Sequence, residues 1–340
     1  MSTLSTSKLS ELRAARDGAI ATESFSIGNV TVIPGSTATG AIFCAIDVNG
    51  APVEIPVAVV HGKFPGPVLA VGAGIHGDEY DSQQAVRNAV AQTNPDTLHG
   101  TLVAMPCINT AAFAAATRVS GIDHLNFNRI FPGDAEGSIS MRLATTFIDE
   151  VIPRIDAFID LHTGGNFGDI TPLAVVQRGH EDIAMELGMA AGHPVIWKGG
   201  AWAGTARSSV LAAGKPAVTL EVGGGTYRPA VVEAHLGAIT NIMRHLGMID
   251  GDSVLRESYE AVNATFARAS AGGFYLEKVA PGDFCKAGDV IAEIVDHLGE
   301  VRETVIAPED GLVLWIRRLR TVNPGEETVI FGPIEETLVP

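Results

Sequence analysis

The sequence predicts an α/β protein, with a mostly parallel (mixed) sheet flanked by helices and a smaller C-terminal all-β lobe. Three observations carry this expectation. Between about residues 61 and 248, short apolar runs alternate with helical patterns, which is the rhythm of a parallel sheet joined by crossover helices. Beyond residue 268 the texture changes to short β runs broken by Gly and Pro, as in Gly273-Phe-Tyr-Leu276, Asp289-Val-Ile-Ala-Glu-Ile294 and Gly311-Leu-Val-Leu-Trp-Ile316. The length of 340 residues, 46% of them hydrophobic, suffices for one core of ordinary size and a second, smaller one.

In chain order, Met1 to Ala21 carries Leu4, Leu9, Leu12 and Ala15 beside Arg13 and Arg16, a short amphipathic helix rather than a secretory segment. Residues 22–60 alternate apolar and polar positions, as in Val30-Thr-Val-Ile33 and Ile55-Pro-Val-Ala-Val-Val60, and read as a β leader packed on the main sheet, so that 1–60 form the first unit. The catalytic unit, 61–252, is expected to hold strands at 68–74, 101–107, 155–161, 172–177 and 216–222. Its helices are expected near 80–92, 138–150, 181–190, 205–213 and 229–247. Segment 108–137, rich in Asn, Arg, Gly and Pro, is a long irregular stretch of the kind that often serves function. Residues 253–268 read as a helical linker, and 269–340 as a β barrel-sandwich-like cap.

Composition narrows the partners. The net charge of -16 lacks the basic footprint that phosphate backbones require, so nucleic acid is not expected. No basic amphipathic stretch and no run near the roughly 18 apolar residues of a membrane helix is present, so no membrane partner is expected either. Cys44, Cys107 and Cys285 are odd in number and far apart, which fits reduced thiols and a cytoplasmic location.

Three short motifs sit where apolar runs give out: His76-Gly-Asp-Glu79, Asp160-Leu-His162 and Glu221. Ligands in open α/β sheets bind at the carboxyl ends of strands, so residues remote in sequence can converge there. His76 and Glu79, spaced i, i+3, can face one point, and a catalytic zinc needs three His or carboxylate ligands with a fourth place left open. His162 is the natural third. Alone, a His-x-x-Glu pair suits an ordinary surface turn. The same turn also reads Gly72-Ala-Gly74-Ile-His-Gly77, a literal dinucleotide fingerprint, but the next strand ends in Cys107-Ile-Asn109 without the acidic residue that would hold a ribose. Glu221, at a strand end before three glycines, suits a general base. An arginine-paired strand-end glutamate is the plain alternative. Arg118 and the run Asn126-Phe-Asn128-Arg129 offer amide and guanidinium groups for a carboxylate or an oxyanion, or simply a solvated loop. Asp160 shares a strand face with His162 and could orient it or act as a core acceptor.

Together, Gly-Ile-His76-Gly-Asp-Glu79, Asn128-Arg129-Ile-Phe-Pro-Gly, Asp160-Leu-His162 and Leu220-Glu221-Val-Gly-Gly resemble the succinylglutamate desuccinylase/aspartoacylase family, a branch of the zinc carboxypeptidase-like superfamily. The resemblance spans about residues 55–250 and leans towards the N-acetyl-diaminobutyrate deacetylase branch. It implies one Zn2+ per subunit on His76, Glu79 and His162, Glu221 as general base and acid, Arg118 as carbonyl-polarising group, and Asn128 and Arg129 as a substrate-carboxylate clamp. It further implies a zinc-carboxypeptidase-like fold and a small-molecule N-acyl amino acid as partner, with a homo-oligomer as an option. The C-terminal lobe resembles a biotinyl/lipoyl-like barrel-sandwich, yet Asp296-His-Leu-Gly-Glu300 replaces a carrier's lysine hairpin. The expected activity is zinc-dependent hydrolysis of a linear amide. A metallocarboxypeptidase acting on short peptides and a non-catalytic binding protein are the alternatives.

Overall fold

A 14-stranded mixed sheet runs through the protein, in a computed structural model that describes residues 12–13, 18–199 and 202–338. The amphipathic helix expected at the start falls largely outside these residues. Up to residue 223 the strands are β1 (Phe25–Ile27), β2 (Val30–Val32), β3 (Ser36–Ile46), β4 (Pro52–His61), β5 (Phe64–Gly72), β6 (His99–Met105), β7 (Ala157–His162), β8 (Gly168–Gln177), β9 (Val195–Gly199) and β10 (Ala217–Gly223). The helices are α1 (Tyr80–Gln92), α2 (Thr110–Ala115), α3 (Ile139–Thr146), α4 (Glu181–Ala190), α5 (Ala206–Ala212) and α6 (Pro229–His245).

The central order is β8-β10-β7-β5-β6-β4-β3, in which β10, β7, β5 and β6 are parallel. Every residue of β7 is buried, because helices cover both faces of a parallel sheet and leave no polar side. From β5 the chain moves to β6 on one side and later to β7 on the other. The order thus reverses at β5, and a crevice opens at the carboxyl ends of β5 and β7. The leader is more than packing on this sheet. β4 pairs antiparallel with β6 and β3 with β4, so the leader supplies one flank of the sheet itself.

The expected helical linker over 253–268 is corrected by the structure. It contains β11 (Ser258–Val262) and β12 (Thr265–Arg268). Tyr259, Val262, Thr265 and Phe266 favour extended backbone, and the open edge of β9 gives β11 a parallel partner. The rest of the C-terminal part comprises β13 (Gly273–Glu277), β14 (Phe284–Cys285), β15 (Val290–Val295), β16 (Val301–Ile306), β17 (Gly311–Arg317), β18 (Thr321–Val322), β19 (Glu327–Gly332) and β20 (Ile334–Leu338). Strands β13, β15, β16 and β18 form their own 4-stranded sheet. The others join the large sheet: β17 pairs with β8, β19 with β17, and β12 with β19. A Cβ at Gly168 would fall 2.0 Å from Trp315 Nε1, so this glycine lets the β17 indole lie against the start of β8. Backbone pairing therefore crosses the boundary expected at residue 252. No helix among the described residues is long and apolar enough to cross a membrane. The three cysteines are free thiols.

Candidate metal centre

His76 and Glu79 lie in the turn between β5 and α1, at the point where the strand order reverses. His162 ends β7, and the β10–β7 register sets Glu221 directly beside it. The glycines of this turn have packing reasons. A Cβ at Gly72 would meet the Phe158 ring at 2.9 Å, Gly74 has φ +67°, and a Cβ at Gly77 would lie 2.0 Å from the Ala112 backbone. Close approach of α2, rather than a pyrophosphate, accounts for the last of them.

Both imidazoles aim Nδ1 at the Glu79 carboxylate. His76 Nδ1 is 2.8 Å from Oε1, and His162 Nδ1 is 3.0 Å from Oε2. The two Nδ1 atoms are 3.2 Å apart. Donor atoms of His76, Glu79 and His162 all lie within 4.8 Å of one another, and all three residues are buried. Two imidazoles and a carboxylate gathered around one point are a donor set for a divalent cation, which both rings would bind in their neutral form.

The surroundings fix these groups. Thr163 N donates to Glu79 Oε2 at 3.0 Å, and Arg118 Nη1 lies 3.2 Å from Oε1. Asp160 Oδ1 is 3.2 Å from His162 Nε2, the ring nitrogen that does not face Glu79. On His76, Nε2 lies 3.2 Å from Asn126 Oδ1. Burial raises the Glu79 carboxyl, but the imidazoles of His76 and His162 overcome this and hold it well below its ordinary value. Burial opposes protonation of His162, whereas Asp160 and Glu79 raise its pKa well above the ordinary histidine value. Burial and Arg118 bring His76 down to about 4. Glu221 opens onto the cavity, yet burial lifts its carboxyl to about 7 against the pull of His162 and Arg118.

The irregular stretch after β6 delivers Arg118, Asn126, Asn128 and Arg129. Asn128 Nδ2 is 3.4 Å from His162 Nε2, and its Oδ1 accepts from Ala206 N at 3.0 Å. The Arg129 guanidinium sits 5.7 Å from the ring centre of Trp202. Asp123 anchors this stretch by accepting from Ser138 Oγ at 2.6 Å, Ser140 N at 2.9 Å and Ser140 Oγ at 2.7 Å, which caps the start of α3. Burial raises its pKa, but these donors win and bring it to about 2 from 3.8. A depressed carboxyl stabilises the fold above its unfolded value, so this contribution is present above pH 3.8 and is lost as pH falls through about 2. Asp123→Ala should cost about 1 kcal/mol in urea unfolding at neutral pH. A loss that stayed constant down to pH 2 would contradict the capping role.

Arg207 received no role from the sequence, and Asn126 was read only as one amide in the loop run. Arg207 is 2% exposed, donates from Nη1 to Val175 O at 3.0 Å and lines the cavity. Burial lowers its pKa to about 10, against the favourable charges of Asp160 and Glu221. An arginine inside a short helix of small and apolar residues is the signal that could have drawn attention to it. The cavity measures about 550 Å³, and the C-terminal part contributes Phe266, Trp315, Arg317 and Ile330 to its lining. His76, Arg118, Asn128, Arg129, His162 and Glu221 all border it. Glu79 and Asp160 support the histidines from behind.

Residues 65–246 match the family described as the succinylglutamate desuccinylase/aspartoacylase catalytic domain. The N-alpha-acetyl-L-2,4-diaminobutyric acid deacetylase of Halomonas elongata is 29% identical over 301 residues, covering 84% of this chain and 87% of that protein. Among solved structures, the product-bound ectoine utilization protein EutE (DoeB) of Ruegeria pomeroyi superposes with a TM-score of 0.81 at 24% identity, covering 88% of this chain and 97% of that one. A succinylglutamate desuccinylase/aspartoacylase from Rhodobacter sphaeroides gives 0.80 at 23% identity, covering 95% and 99%. These two likenesses show a shared fold.

Proposed function

The chain belongs to the succinylglutamate desuccinylase/aspartoacylase family, whose members remove acyl groups from N-acyl amino acids, and from that premise we propose that it is a zinc-dependent amidohydrolase of small N-acyl amino acids. The observation that carries the reading is the convergence of the His76, Glu79 and His162 donors, with both histidines bordering a cavity that Glu221, Arg118, Asn128 and Arg129 also line. Held by those three residues, Zn2+ would supply Lewis-acid polarisation of the acyl carbonyl and acidification of water.

The rest of the chemistry lies in side chains. Glu221 takes a proton from the water that attacks the carbonyl carbon and delivers it to the amide nitrogen as the C–N bond breaks. A carboxyl poised near 7 can do both. Arg118 spends one N–H on Glu79 and keeps others for the oxygen that gains negative charge. Asn128 and Arg129 hold the substrate carboxylate, turning an encounter into an oriented complex. Phe266, Trp315 and Ile330 narrow the approach, which favours free N-acyl amino acids over extended peptides.

A mass-spectrometric screen of the zinc-loaded protein against N-acetyl, N-succinyl and longer N-acyl amino acids tests this. Release of the free amine is expected; cleavage of peptides alone would turn the assignment towards a carboxypeptidase. Arg129→Ala should raise KM for carboxylate-bearing substrates roughly 10- to 100-fold, the usual worth of a hydrogen bond to a charged group. An unchanged KM would count against the clamp.

A further inference from the structure

Resting on the zinc reading above, we infer that Asp78 is a positioning residue of the metal centre. It ties the loop after β7 to the turn after β5, and so holds the Glu79 carboxylate against His162. Asp78 stands between the two ligands of the His76-Gly-Asp78-Glu79 turn and is 1% exposed. It lies outside the cavity lining, so its carboxylate addresses the protein and not the substrate. A carboxylate is costly to bury without a hydrogen-bond donor, and the donor to Asp78 Oδ2 is the Asn166 backbone N–H at 3.1 Å.

Residues 163–166 continue directly from His162, the last residue of β7. This loop meets the metal turn at two neighbouring side chains. Thr163 N donates to Glu79 Oε2 at 3.0 Å, and Asn166 N donates to Asp78 Oδ2. Between them, Gly165 N donates to Thr163 Oγ1 at 3.0 Å, which curls the loop so that both donors face the turn. Gly165 has φ +52°, and a Cβ on it would fall 2.8 Å from Asp78 Oδ2, so a glycine lets the carboxylate close on the loop. The same loop is bonded to the strand end that follows Glu221, through Gly164 N to Gly223 O at 2.8 Å and Gly225 N to Gly165 O at 2.7 Å. Without the Asp78 acceptor, the loop loses one of its two ties to the metal turn, and the Thr163 N–H that fixes Glu79 Oε2 is held less firmly. Asp81, in the first turn of α1, is buried to the same degree but serves a different loop: its Oδ1 accepts from Arg228 N at 2.7 Å.

The test measures zinc affinity of the full-length protein by competition with a chelator, with circular dichroism and thermal unfolding reporting the fold. Asp78→Ala should weaken zinc binding by about 10- to 100-fold, the usual effect of removing a group that holds a metal ligand in place. Asp78→Asn keeps an oxygen for the Asn166 N–H and should return affinity to within about threefold of wild type. Gly165→Ala, which sets a methyl against Oδ2 while Asp78 is intact, should weaken zinc binding as Asp78→Ala does, and it decides the matter if Asp78→Ala fails to fold. Asp81→Ala is the control for loss of a buried acid: its Tm should fall while its zinc affinity holds. Wild-type affinity in folded Asp78→Ala or in Gly165→Ala, or an equal loss in Asp78→Asn or Asp81→Ala, overturns the positioning role and leaves the deacylase reading standing. A wild-type protein that binds no zinc overturns both.

Discussion

Glu221→Gln should fold, bind zinc and lose kcat by about 10²- to 10⁴-fold, the range that a positioned general base contributes. The amide is nearly the shape of the carboxylate but cannot accept a proton from water. Glu221 acts on the reacting bond and not on the substrate carboxylate, so KM should move far less than kcat. The acid limb of the wild-type pH–rate profile should report the same group. Only the ionised carboxylate can act as base, so activity falls as pH drops through its pKa. Burial sets that value to about 7 in the metal-free site, and a nearby divalent cation draws it lower. The limb should therefore lie at or below pH 7 and be absent from the residual activity of the variant. Turnover within tenfold of wild type would remove Glu221 from the base role.

His162→Ala should weaken zinc binding by more than about 100-fold, beyond what outer partners of a metal site usually cost. The substitution removes one of three donors and leaves Asp160 buried with no imidazole to orient. Elemental analysis after dialysis, together with competition against a chelator of known affinity, measures the change. Full occupancy in the variant would show that another residue completes the site. Because the Glu79 carboxylate keeps His76 and Arg118, the variant should stay folded, which separates lost affinity from lost structure.

Much of this was legible in the sequence, for identifiable reasons. Parallel strands buried on both faces must be continuously apolar, so Ala157–Ile159 and Ala217–Leu220 announce themselves, and the polar residues that interrupt them stand at the crevice. Gathering His162 and Glu221 required only that β7 and β10 be neighbours in parallel register. Segment 253–268 misled because its periodicity is weak and its strands depend on partners remote in sequence, β9 at one end and β19 at the other. Arg207 was missed for a related reason. Only the packing of α5 against β7 and β10 shows that this guanidinium points inward, and no local pattern encodes that. The place of Asn126 beside His76, rather than in a substrate clamp, is likewise set by packing across two helices and a strand of intervening chain.

The ladder between β17 and β8, with β11 laid along β9, sets how selectivity can evolve in this scaffold. A cap hung on a flexible hinge could swing aside to admit larger molecules, but this one is stitched into the same backbone network that carries the chemistry. Swinging it would break both seams at once. Adaptation to a new amine is thus a matter of exchanging individual side chains of the lining, those on β12, β17 and β19 among them. A protein shortened at residue 252 would bare the edge of β9 and the start of β8 to its neighbours and should aggregate rather than remain as a smaller working enzyme.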